Sequence, residues 1–348
     1  MTKASSIGYA VVGLGNLARN AILPAFAHSR RSKLVALVSR DPQKASSLQK
    51  KFKALACYDP NSFDRCLARP DISAVYVVTP PAQHQEFTTR AASAKKHVLC
   101  EKPLAANPQQ SARMVAACRQ NGVLLMTAYR KYFEPSSVYV KSLIASGALG
   151  RLDMIHTSFS EIYNRSIAPK WLLDAPLAGG GPMMDLGVYC VNATRWIAGE
   201  DPIQAVAHSW SHDTKRFDSV EEGVSFLLNF PSGLIVQGSS TYSSAISSFI
   251  FVQASKGWIS LSPAYTYEDE RRVTGKIGTR LIDKRFRPLD EFALELDAFS
   301  AAILNKKPVE PDGVQGHRDM LILQAIYQSA RTHQPVPIHY SARKQSHG

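Results

Sequence analysis

The chain has 348 residues, of which 45% are hydrophobic and 20% charged, and its formal net charge is +13. This length predicts about two domains, and no apolar run reaches the ~18 residues that a membrane span requires. The Lys and Arg residues are spread along the chain without a basic stripe interleaved with aromatics. The composition therefore argues against nucleic-acid and membrane partners and suits an anionic small ligand.

The N-terminal residues and the cysteines indicate the compartment. The sequence MTKASSIGYAVVGLGN runs directly into a strand-and-turn pattern, without the apolar segment and cleavage site of a secretory signal. The five cysteines are odd in number and lack paired spacing, so we expect reduced thiols and no metal site. Both features are typical of a cytoplasmic protein.

A glycine-rich turn follows the first predicted strand. Residues 7–12 are apolar, and the sequence GLGNLA then opens an amphipathic helix that Pro24 bends or restarts. Such a turn places backbone N–H groups and a helix N-terminus against a pyrophosphate. The residues predicted to bind a dinucleotide here are Gly13, Gly15, Asn16 and Leu17.

The second predicted strand, residues 34–38, ends in a cluster that favours NADP over NAD. Enzymes that prefer NAD place an acidic residue at this strand end, where it binds the ribose 2′-hydroxyl. Here Ser39 and Arg40 follow the strand and Lys44 lies one turn into the next helix, which suits a 2′-phosphate. Asp41 is the counter-signal, although its position before a proline also suits a helix N-cap.

Strands continue to alternate with helices as far as residue 129, which predicts a doubly wound parallel sheet. Ligands bind beyond the carboxyl ends of the strands in such a sheet. Three further strands, at residues 74–78, 97–100 and 124–129, each deliver polar residues to this edge. The residues predicted to reach the cofactor there are Thr79, Pro80, His84, Glu101, Lys102 and Arg130.

The pattern changes near Gly150, where strand-like segments of alternating polarity predict a large, open, mostly antiparallel sheet. We therefore expect an α/β fold, with an NADP-binding Rossmann domain over residues 1–128 and an α+β domain over residues 129–348 that binds substrate. A final helix, over residues 318–332, is free to pack back on the first domain. The broad sheet is expected to form a homodimer or homotetramer. Loops over residues 162–173 and 262–287 are predicted to line the pocket, with Arg165 and Lys170 on the surface.

The segment GPMMDLGVYCVN, residues 181–192, is predicted to begin a helix. Asp185, Tyr189 and Asn192 would share one face of that helix, so that a carboxylate, a phenol and an amide project together. From this segment alone a purely structural helix start is equally consistent, with Asp185 favoured by the helix dipole and Tyr189 half buried.

The motifs GLGNLA, EKP, AYRKYFEP, LAGGGPMMDLGVYCVNATRWIAGEDP and QAIYQSART together resemble the glucose-fructose oxidoreductase and inositol dehydrogenase family of NAD(P)-dependent enzymes. The similarity covers residues 7–337. The segment DLGVYCVN is most similar to the glucose-fructose and aldose-aldose oxidoreductase branch, with Tyr189 where other members have histidine. Two positions depart from the family pattern, Leu172 where arginine is common and Pro81 where asparagine is frequent.

The resemblance implies roles for individual residues. Lys102 would be the essential lysine, Tyr189 the proton donor or acceptor, and Trp171 a cofactor contact. The residues predicted to bind substrate are Asp185, Tyr129, Arg130 and Asn192. Hydride transfer at a sugar C1 requires a group that carries a proton to or from the sugar oxygen. A free tyrosine has a pKa of about 10, and we expect the Lys102 ammonium to lower the pKa of Tyr189 towards neutrality.

The predicted function is an NADP-dependent oxidoreductase acting on an aldose or similar polyhydroxy carbonyl compound. In one form, tightly held NADP oxidises one sugar to its lactone and is re-oxidised by a second sugar. One alternative is an enzyme that exchanges NADP in each turnover, such as a xylose, anhydrofructose or dihydrodiol enzyme. Another, of a different class, is a dinucleotide-sensing regulator without catalysis, against which intact Lys102 and Tyr189 argue.

Overall fold

Two sheets organise the chain, which the computed structural model describes over residues 6–163 and 168–340. The predicted surface position of Arg165 lies outside these residues, whereas Lys170 is exposed as predicted. Across the described ranges, no helix combines the length and the apolar character needed to cross a membrane.

The first sheet confirms the predicted doubly wound parallel sheet. Its strands are β1 (Ile7–Val12), β2 (Ser32–Val38), β3 (Ala56–Tyr58), β4 (Ala74–Val77), β5 (His97–Glu101) and β6 (Leu125–Ala128). Its helices are α1 (Leu23–His28), α2 (Pro42–Phe52), α3 (Phe63–Leu67), α4 (Pro81–Ser93) and α5 (Pro108–Asn121). The strands lie in the order β3-β2-β1-β4-β5-β6, and every neighbouring pair is parallel. Alternate residues of β1 enter two apolar clusters, one on each face, which is why these strands read as continuous apolar runs.

The first helix confirms the restart predicted at Pro24. The chain after the glycine-rich turn forms a π-helical turn over Ala18–Ile22, and α1 then begins at Leu23 with Pro24 in its first turn. Proline is tolerated there because the first helical N–H groups have no partner within the helix.

The second sheet is mostly antiparallel, as predicted. Its strands are β7 (Leu152–Ser160), β8 (Gln204–Trp210), β9 (Gly223–Asn229), β10 (Ile235–Thr241), β11 (Ser247–Ala254), β12 (Gly257–Ser262), β13 (Arg271–Ile277), β14 (Arg280–Phe286) and β15 (Val336–Pro337). They lie in the order β14-β13-β12-β11-β7-β10-β9-β8-β15. The pair β7 and β10 is parallel, which brings the carboxyl ends of two strands to one edge.

The loop predicted over residues 262–287 is wrong for most of its length. The chain forms the antiparallel hairpin of β13 and β14 there, at the edge of the second sheet. Charged residues on these strands, including Arg272, Asp283 and Arg285, form surface ion pairs across or beside the hairpin. Edge strands commonly carry such charges, which hide the alternating pattern by which strands are recognised.

The remaining helices connect the two sheets. They are α6 (Pro135–Ala145), α7 (Ala175–Ala178), α8 (Val188–Ala198), α9 (Glu291–Leu304) and α10 (Gly313–Thr332). Helices α8 and α10 pack on the second sheet, and α10 also contacts α5. Helix α9 returns to the first sheet, where Phe292, Leu296 and Phe299 join the apolar cluster that contains Tyr9 and Leu99. This return brings two acidic residues of α9 beneath the cavity described next.

Candidate active site

A cavity of about 1180 Å³ lies between the carboxyl ends of the parallel strands and the second domain. All five positions that the sequence places at these strand ends line it, namely Gly13, Ser39, Thr79, Lys102 and Arg130. Other predicted residues on the wall are Gly15, Asn16, Leu17, Arg40, Lys44, Pro80, Glu101, Trp171, Asp185 and Tyr189. The sheet topology thus gathers residues that are far apart in the sequence.

The turn after β1 fits a dinucleotide. Gly13 has φ +95°, and a Cβ at this position would lie 2.6 Å from the Val78 carbonyl oxygen, so the tight turn requires glycine. Thr79 Oγ1 is buried and finds no hydrogen-bond partner within the described ranges. Arg19, which the sequence analysis missed, also lines the cavity and donates a hydrogen bond to Asn16 Oδ1. An unpaired hydroxyl and a cation beside such a turn match the oxygen-rich groups of a dinucleotide.

The residues after β2 bring two cations to the cavity wall. Asp41 caps α2 by accepting a hydrogen bond from Lys44 N at 2.9 Å, and its carboxylate lies 3.3 Å from Lys44 Nζ. The backbone N–H of Lys44 is the main cause of a lowered Asp41 pKa. Asp41 is therefore engaged as the predicted N-cap. Arg40 is exposed at the cavity wall and pairs with no side chain that the structure describes.

His84 lies behind the cavity wall and does not reach the cavity. Its Nε2 is 2.7 Å from the Thr79 carbonyl oxygen and its Nδ1 is 3.2 Å from the Leu104 carbonyl oxygen. Burial lowers the His84 pKa to about 4, so the ring is neutral. His84 therefore positions the backbone of Thr79, which does line the cavity. The structure does not place His84 itself where it could contact a cofactor in this cavity, as the sequence had predicted.

Lys102 and Asp185 form an ion pair at the centre of the cavity. Lys102 Nζ donates to Asp185 Oδ1 at 2.7 Å and to the Asp185 carbonyl oxygen at 2.8 Å. Tyr242 Oη donates to Asp185 Oδ2 at 2.8 Å, so both carboxylate oxygens are engaged. Burial works against both charges, yet the pairing lowers the Asp185 pKa and raises the Lys102 pKa. The pair is therefore ionised at neutral pH.

Tyr189 lies beside this pair and is 5% exposed. Lys102 Nζ is 5.0 Å from the centre of the Tyr189 ring, and Arg130 donates a hydrogen bond to Tyr189 Oη. The predicted lowering of the Tyr189 pKa is wrong. Burial raises this pKa, and the attraction of Arg130 and Lys102 does not overcome it. Tyr189 is thus a neutral phenol that lines the cavity, and its oxygen accepts a hydrogen bond from Arg130.

Arg130 is held rigidly from behind. Its Nε is 3.1 Å from Glu291 Oε2 on α9, and its Nη2 donates to the Tyr265 carbonyl oxygen at 2.6 Å. The side chain is 8% exposed. Because Arg130 has no freedom to turn away, its contact with Tyr189 is a fixed feature of the site.

Glu101 shares a buried hydroxyl with a second carboxylate. Tyr76 Oη lies 2.7 Å from Glu101 Oε1 and 3.1 Å from Glu295 Oε2 on α9. Burial raises the pKa of both carboxyl groups. A single hydroxyl proton cannot serve two carboxylates, so one of the two acids keeps its proton. Glu101 lines the cavity as predicted, but its side chain is bound to the buried Tyr76 hydroxyl in the protein interior.

Two residues predicted to bind substrate do not line the cavity. Asn192 Nδ2 donates to Asp319 Oδ2 at 2.9 Å, and Asp319 is paired with Arg195 in the interior. Tyr129 is 1% exposed and packs edge-on against Tyr189, with ring centres 6.3 Å apart. The shared face predicted for residues 185, 189 and 192 is wrong for the third. The helix start widens into a π-helical turn over Met183–Gly187, which changes the spacing along that face.

The wall opposite the strand ends is largely aromatic. Residues of the two loops predicted to line the pocket contribute to it, whereas Phe159, Glu161 and Tyr242 lie outside those loops and were missed. Its residues include Phe159, Glu161, Tyr163, Tyr242 and Tyr267, together with the predicted Trp171 and the apolar Leu172. One signal could have found them. Glu161 follows β7 and Tyr242 follows β10, so the parallel pairing of these strands places both at one sheet edge. Pro81 occupies the first position of α4, where proline is favoured.

The described residues include no cluster of three or more His, Cys, Asp or Glu side chains placed to hold a metal ion. The site's own groups can perform proton transfer by Tyr189 and charge stabilisation by Lys102 and Arg130, next to a turn that fits a dinucleotide.

Comparison with known proteins agrees with this arrangement. Residues 7–129 match the oxidoreductase family with an NAD-binding Rossmann fold, and residues 138–260 match the GFO/IDH/MocA C-terminal domain. A D-xylose 1-dehydrogenase [NADP(+)] from Haloarcula marismortui is 27% identical over 333 residues, covering 95% of this chain and 92% of that protein. A dTDP-3,4-didehydro-2,6-dideoxy-alpha-D-glucose 3-reductase from Saccharopolyspora spinosa is 30% identical over 328 residues, covering 93% and 95%.

A solved structure extends the similarity over nearly the whole chain. The aldose-aldose oxidoreductase from Caulobacter crescentus, crystallised with glycerol, is 35% identical and superposes with a TM-score of 0.91, covering 96% of this chain and 100% of that one. The matched ranges include the glycine-rich turn, Lys102, Asp185 and Tyr189. The chain therefore belongs to the GFO/IDH/MocA family and is an NAD(P)-dependent oxidoreductase.

Proposed function

We propose that this oxidoreductase uses NADP and transfers hydride between the nicotinamide and C1 of an aldose or a related sugar. The observation that carries the proposal is the neutral Tyr189 phenol, which lines the cavity beside the Lys102–Asp185 pair and accepts a hydrogen bond from Arg130. Aromatic walls suit the C–H faces of a sugar ring, and the polar groups beside them suit its hydroxyls. Names of similar proteins support this substrate class, including a xylose dehydrogenase and an aldose-aldose oxidoreductase.

The residues divide the reaction among them. Nicotinamide bound in this cavity supplies or accepts the hydride. In the reductive direction Tyr189 donates its proton to the carbonyl oxygen, and Lys102 stabilises the negative charge that develops there. In the oxidative direction Tyr189 first releases its proton to solvent, and the phenolate then accepts the proton of the sugar hydroxyl as the hydride leaves C1. Arg130 stabilises the intervening phenolate because it already donates a hydrogen bond to the same oxygen.

The residues after β2 support NADP as the partner of this chemistry. Arg40, Lys44 and Ser39 lie together at the cavity wall, and Asp41 is occupied as the cap of α2. An engaged carboxylate is a poor acceptor for a ribose hydroxyl, whereas two cations suit a phosphate.

The test is the absorbance and fluorescence of the freshly purified protein before and after glucose or xylose is added without external cofactor. A rise in the reduced-nicotinamide band shows retained NADP and an aldose donor, as expected of a protein that oxidises one sugar to its lactone and reduces another. A signal that needs added NADP indicates a dehydrogenase that exchanges its cofactor. No signal with either sugar, even with NADP, contradicts the proposal and favours a dinucleotide sensor.

We also propose a homodimer or homotetramer formed through the open face of the second sheet. Leu227, Ile235, Trp258 and Leu281 are on this face and are at least partly exposed, whereas the opposite face is covered by helices. An apolar sheet face of this kind is commonly buried by a partner. Light scattering should give the mass of two or four chains, and a monomer would contradict the proposal.

A further inference from the structure

We propose that Glu161 determines substrate specificity and that the substrate is an uncharged polyhydroxy compound, with sugars that carry a carboxylate or phosphate rejected. This inference rests on the proposed function, since it concerns the part of the same cavity beside Tyr189 and the Lys102–Asp185 pair, here called the sugar end. It assigns to Glu161 a role that neither motif nor sequence pattern pointed to.

Glu161 is presented to the cavity by the parallel pair of strands. It directly follows β7, and its backbone N donates to the Thr241 carbonyl oxygen at 3.1 Å at the end of β10. Tyr242, which follows Thr241, binds Asp185. Glu161 therefore lies on the same sheet edge as the residues that hold the Lys102–Asp185 pair.

Among the described residues, the carboxylate of Glu161 has oxygens free to accept hydrogen bonds from a ligand. Both oxygens of Asp185 are engaged, one by Lys102 and the other by Tyr242. The Glu161 side chain, by contrast, has no hydrogen bond or ion pair with any residue in the described part of the chain, and it lines the cavity. An ionised carboxylate with free oxygens is a strong acceptor for sugar hydroxyls.

The charges around Glu161 disfavour the binding of an anionic ligand, because the cations nearest to it are already paired with carboxylates. Lys102 is paired with Asp185. Arg130 lies 3.1 Å from Glu291 within a buried group of charges, in which Lys131 and Arg271 also pair with Glu291 and Arg271 lies near Glu134. The other cations on the described wall, Arg19, Arg40 and Lys44, belong to the glycine-rich turn and the end of β2. Within the ranges that the structure describes, Glu161 is therefore the carboxylate of the sugar end that pairs with no cation. Burial raises the Glu161 pKa, and electrostatic repulsion by the Asp185 carboxylate adds to this effect. The two carboxylates are therefore close enough to repel each other and an anionic ligand between them.

Aromatic residues complete a surface for a neutral polyol. Tyr163, Tyr242 and Tyr267 line the wall beside Glu161, and the Tyr163 and Tyr242 rings are 5.8 Å apart. Tyrosine rings pack against the C–H faces of a sugar, while a carboxylate accepts from its hydroxyls. A carboxylate on the ligand would gain nothing from these rings and would face Glu161 directly.

The experiment compares glucose with glucuronate, which differ by one carboxylate, in the wild type, Glu161→Gln and the control Asp153→Asn. The control substitution removes the same charge at the opposite, exposed end of β7, where Asp153 pairs with Arg151. The wild type should favour glucose by about tenfold or more in kcat/KM, as a like-charge contact at the sugar end requires. Glu161→Gln should reduce that ratio by about tenfold and raise KM for glucose, whereas Asp153→Asn should keep the wild-type ratio. An unchanged ratio in Glu161→Gln would overturn the inference.

A binding measurement separates this inference from the proposed function. Calorimetry on the NADP-loaded protein compares sorbitol with gluconate, a neutral and an anionic polyol, in the same three proteins. If no aldose is turned over, the proposed function fails, yet a preference for sorbitol that disappears only in Glu161→Gln still supports the role of Glu161. Equal binding of the two polyols by the wild type would overturn it.

Discussion

The two ends of the cavity are built on different principles. The reacting end, defined by Lys102, Asp185, Tyr189 and Arg130, is largely buried, and each of its polar groups is tied to others. The end proposed to bind the 2′-phosphate, called the phosphate end and defined by Ser39, Arg40 and Lys44, is open, and the Lys44 side chain is 40% exposed. Proton and hydride transfer require groups fixed before the substrate arrives, whereas recognition of a 2′-phosphate requires charge within reach. The difference predicts that changes at the first end alter rate and changes at the second alter cofactor affinity.

The largest effect should come from Tyr189→Phe. This change removes the transferable proton but keeps the ring that packs against Phe159 and Tyr265. We expect kcat to fall by about a thousandfold, within the range for loss of a general acid, while the dissociation constant for NADP is unchanged. Steady-state kinetics and fluorescence titration measure the two quantities. Undiminished turnover would remove Tyr189 from the reaction.

Lys102→Met should be next in size. Among the described residues it leaves Asp185 with Tyr242 as its hydrogen-bonding side chain, so we expect the free energy of unfolding to fall by ~1–3 kcal/mol and turnover by about a hundredfold. The double variant Lys102→Met with Asp185→Asn removes the uncompensated charge. It should regain most of the lost stability in denaturant unfolding without regaining activity. Recovery of turnover in the double variant would show that Lys102 serves only to neutralise Asp185.

At the phosphate end, the double variant Arg40→Ala with Lys44→Ala should weaken NADP by about tenfold or more while NAD binding and kcat change little. The matched control is Lys50→Ala with Lys51→Ala, which removes two exposed positive charges from the same helix, α2, at its far end. Titration of both dinucleotides against all three proteins gives the comparison. Equal weakening of NAD and NADP would refute the 2′-phosphate site.

The smallest effect concerns the pH dependence of stability through His84, which contacts the backbone of Thr79 behind the cavity wall. Its pKa is about 4 in the folded protein against 6.5 ordinarily, so the unfolded chain binds more protons between these values. His84 therefore makes the folded state lose about 3 kcal/mol as the pH falls from 6.5 to 4. Melting curves of His84→Gln should fall less steeply over this interval than those of the wild type. His208→Gln, at an exposed position, should melt like the wild type throughout.

The sequence predicts the parts of this molecule that depend on one strand and the turn after it. Gly13, Thr79, Lys102 and Arg130 were placed at the cavity because each follows an apolar strand, and parallel strands end at one edge. The fold followed from the same alternation of strands and helices. The resemblance to a family added Asp185 and Tyr189, which the structure places side by side with Lys102.

Features that depend on contacts between distant segments could not be predicted in this way. Asn192 binds Asp319, which is 127 residues away, and a π-helical turn precedes it. Tyr242 and Glu161 lie at one sheet edge because β7 pairs with β10, and no local sequence pattern predicts that pairing. The direction of the Tyr189 pKa shift depends on how deeply the folded chain buries the ring. Burial of a particular side chain is a property of the whole packing and is not visible in a motif.

The most direct test of this division of labour is rapid-mixing absorbance of NADP-saturated enzyme with an aldose. The rate of the single-turnover rise in reduced nicotinamide is measured for the wild type, Tyr189→Phe and the double variant of Arg40 and Lys44. We expect a rate about a thousandfold lower in Tyr189→Phe and a wild-type rate in the double variant once NADP saturates it. A similar fall in both would contradict this expectation, because the phosphate end would then take part in the chemical step.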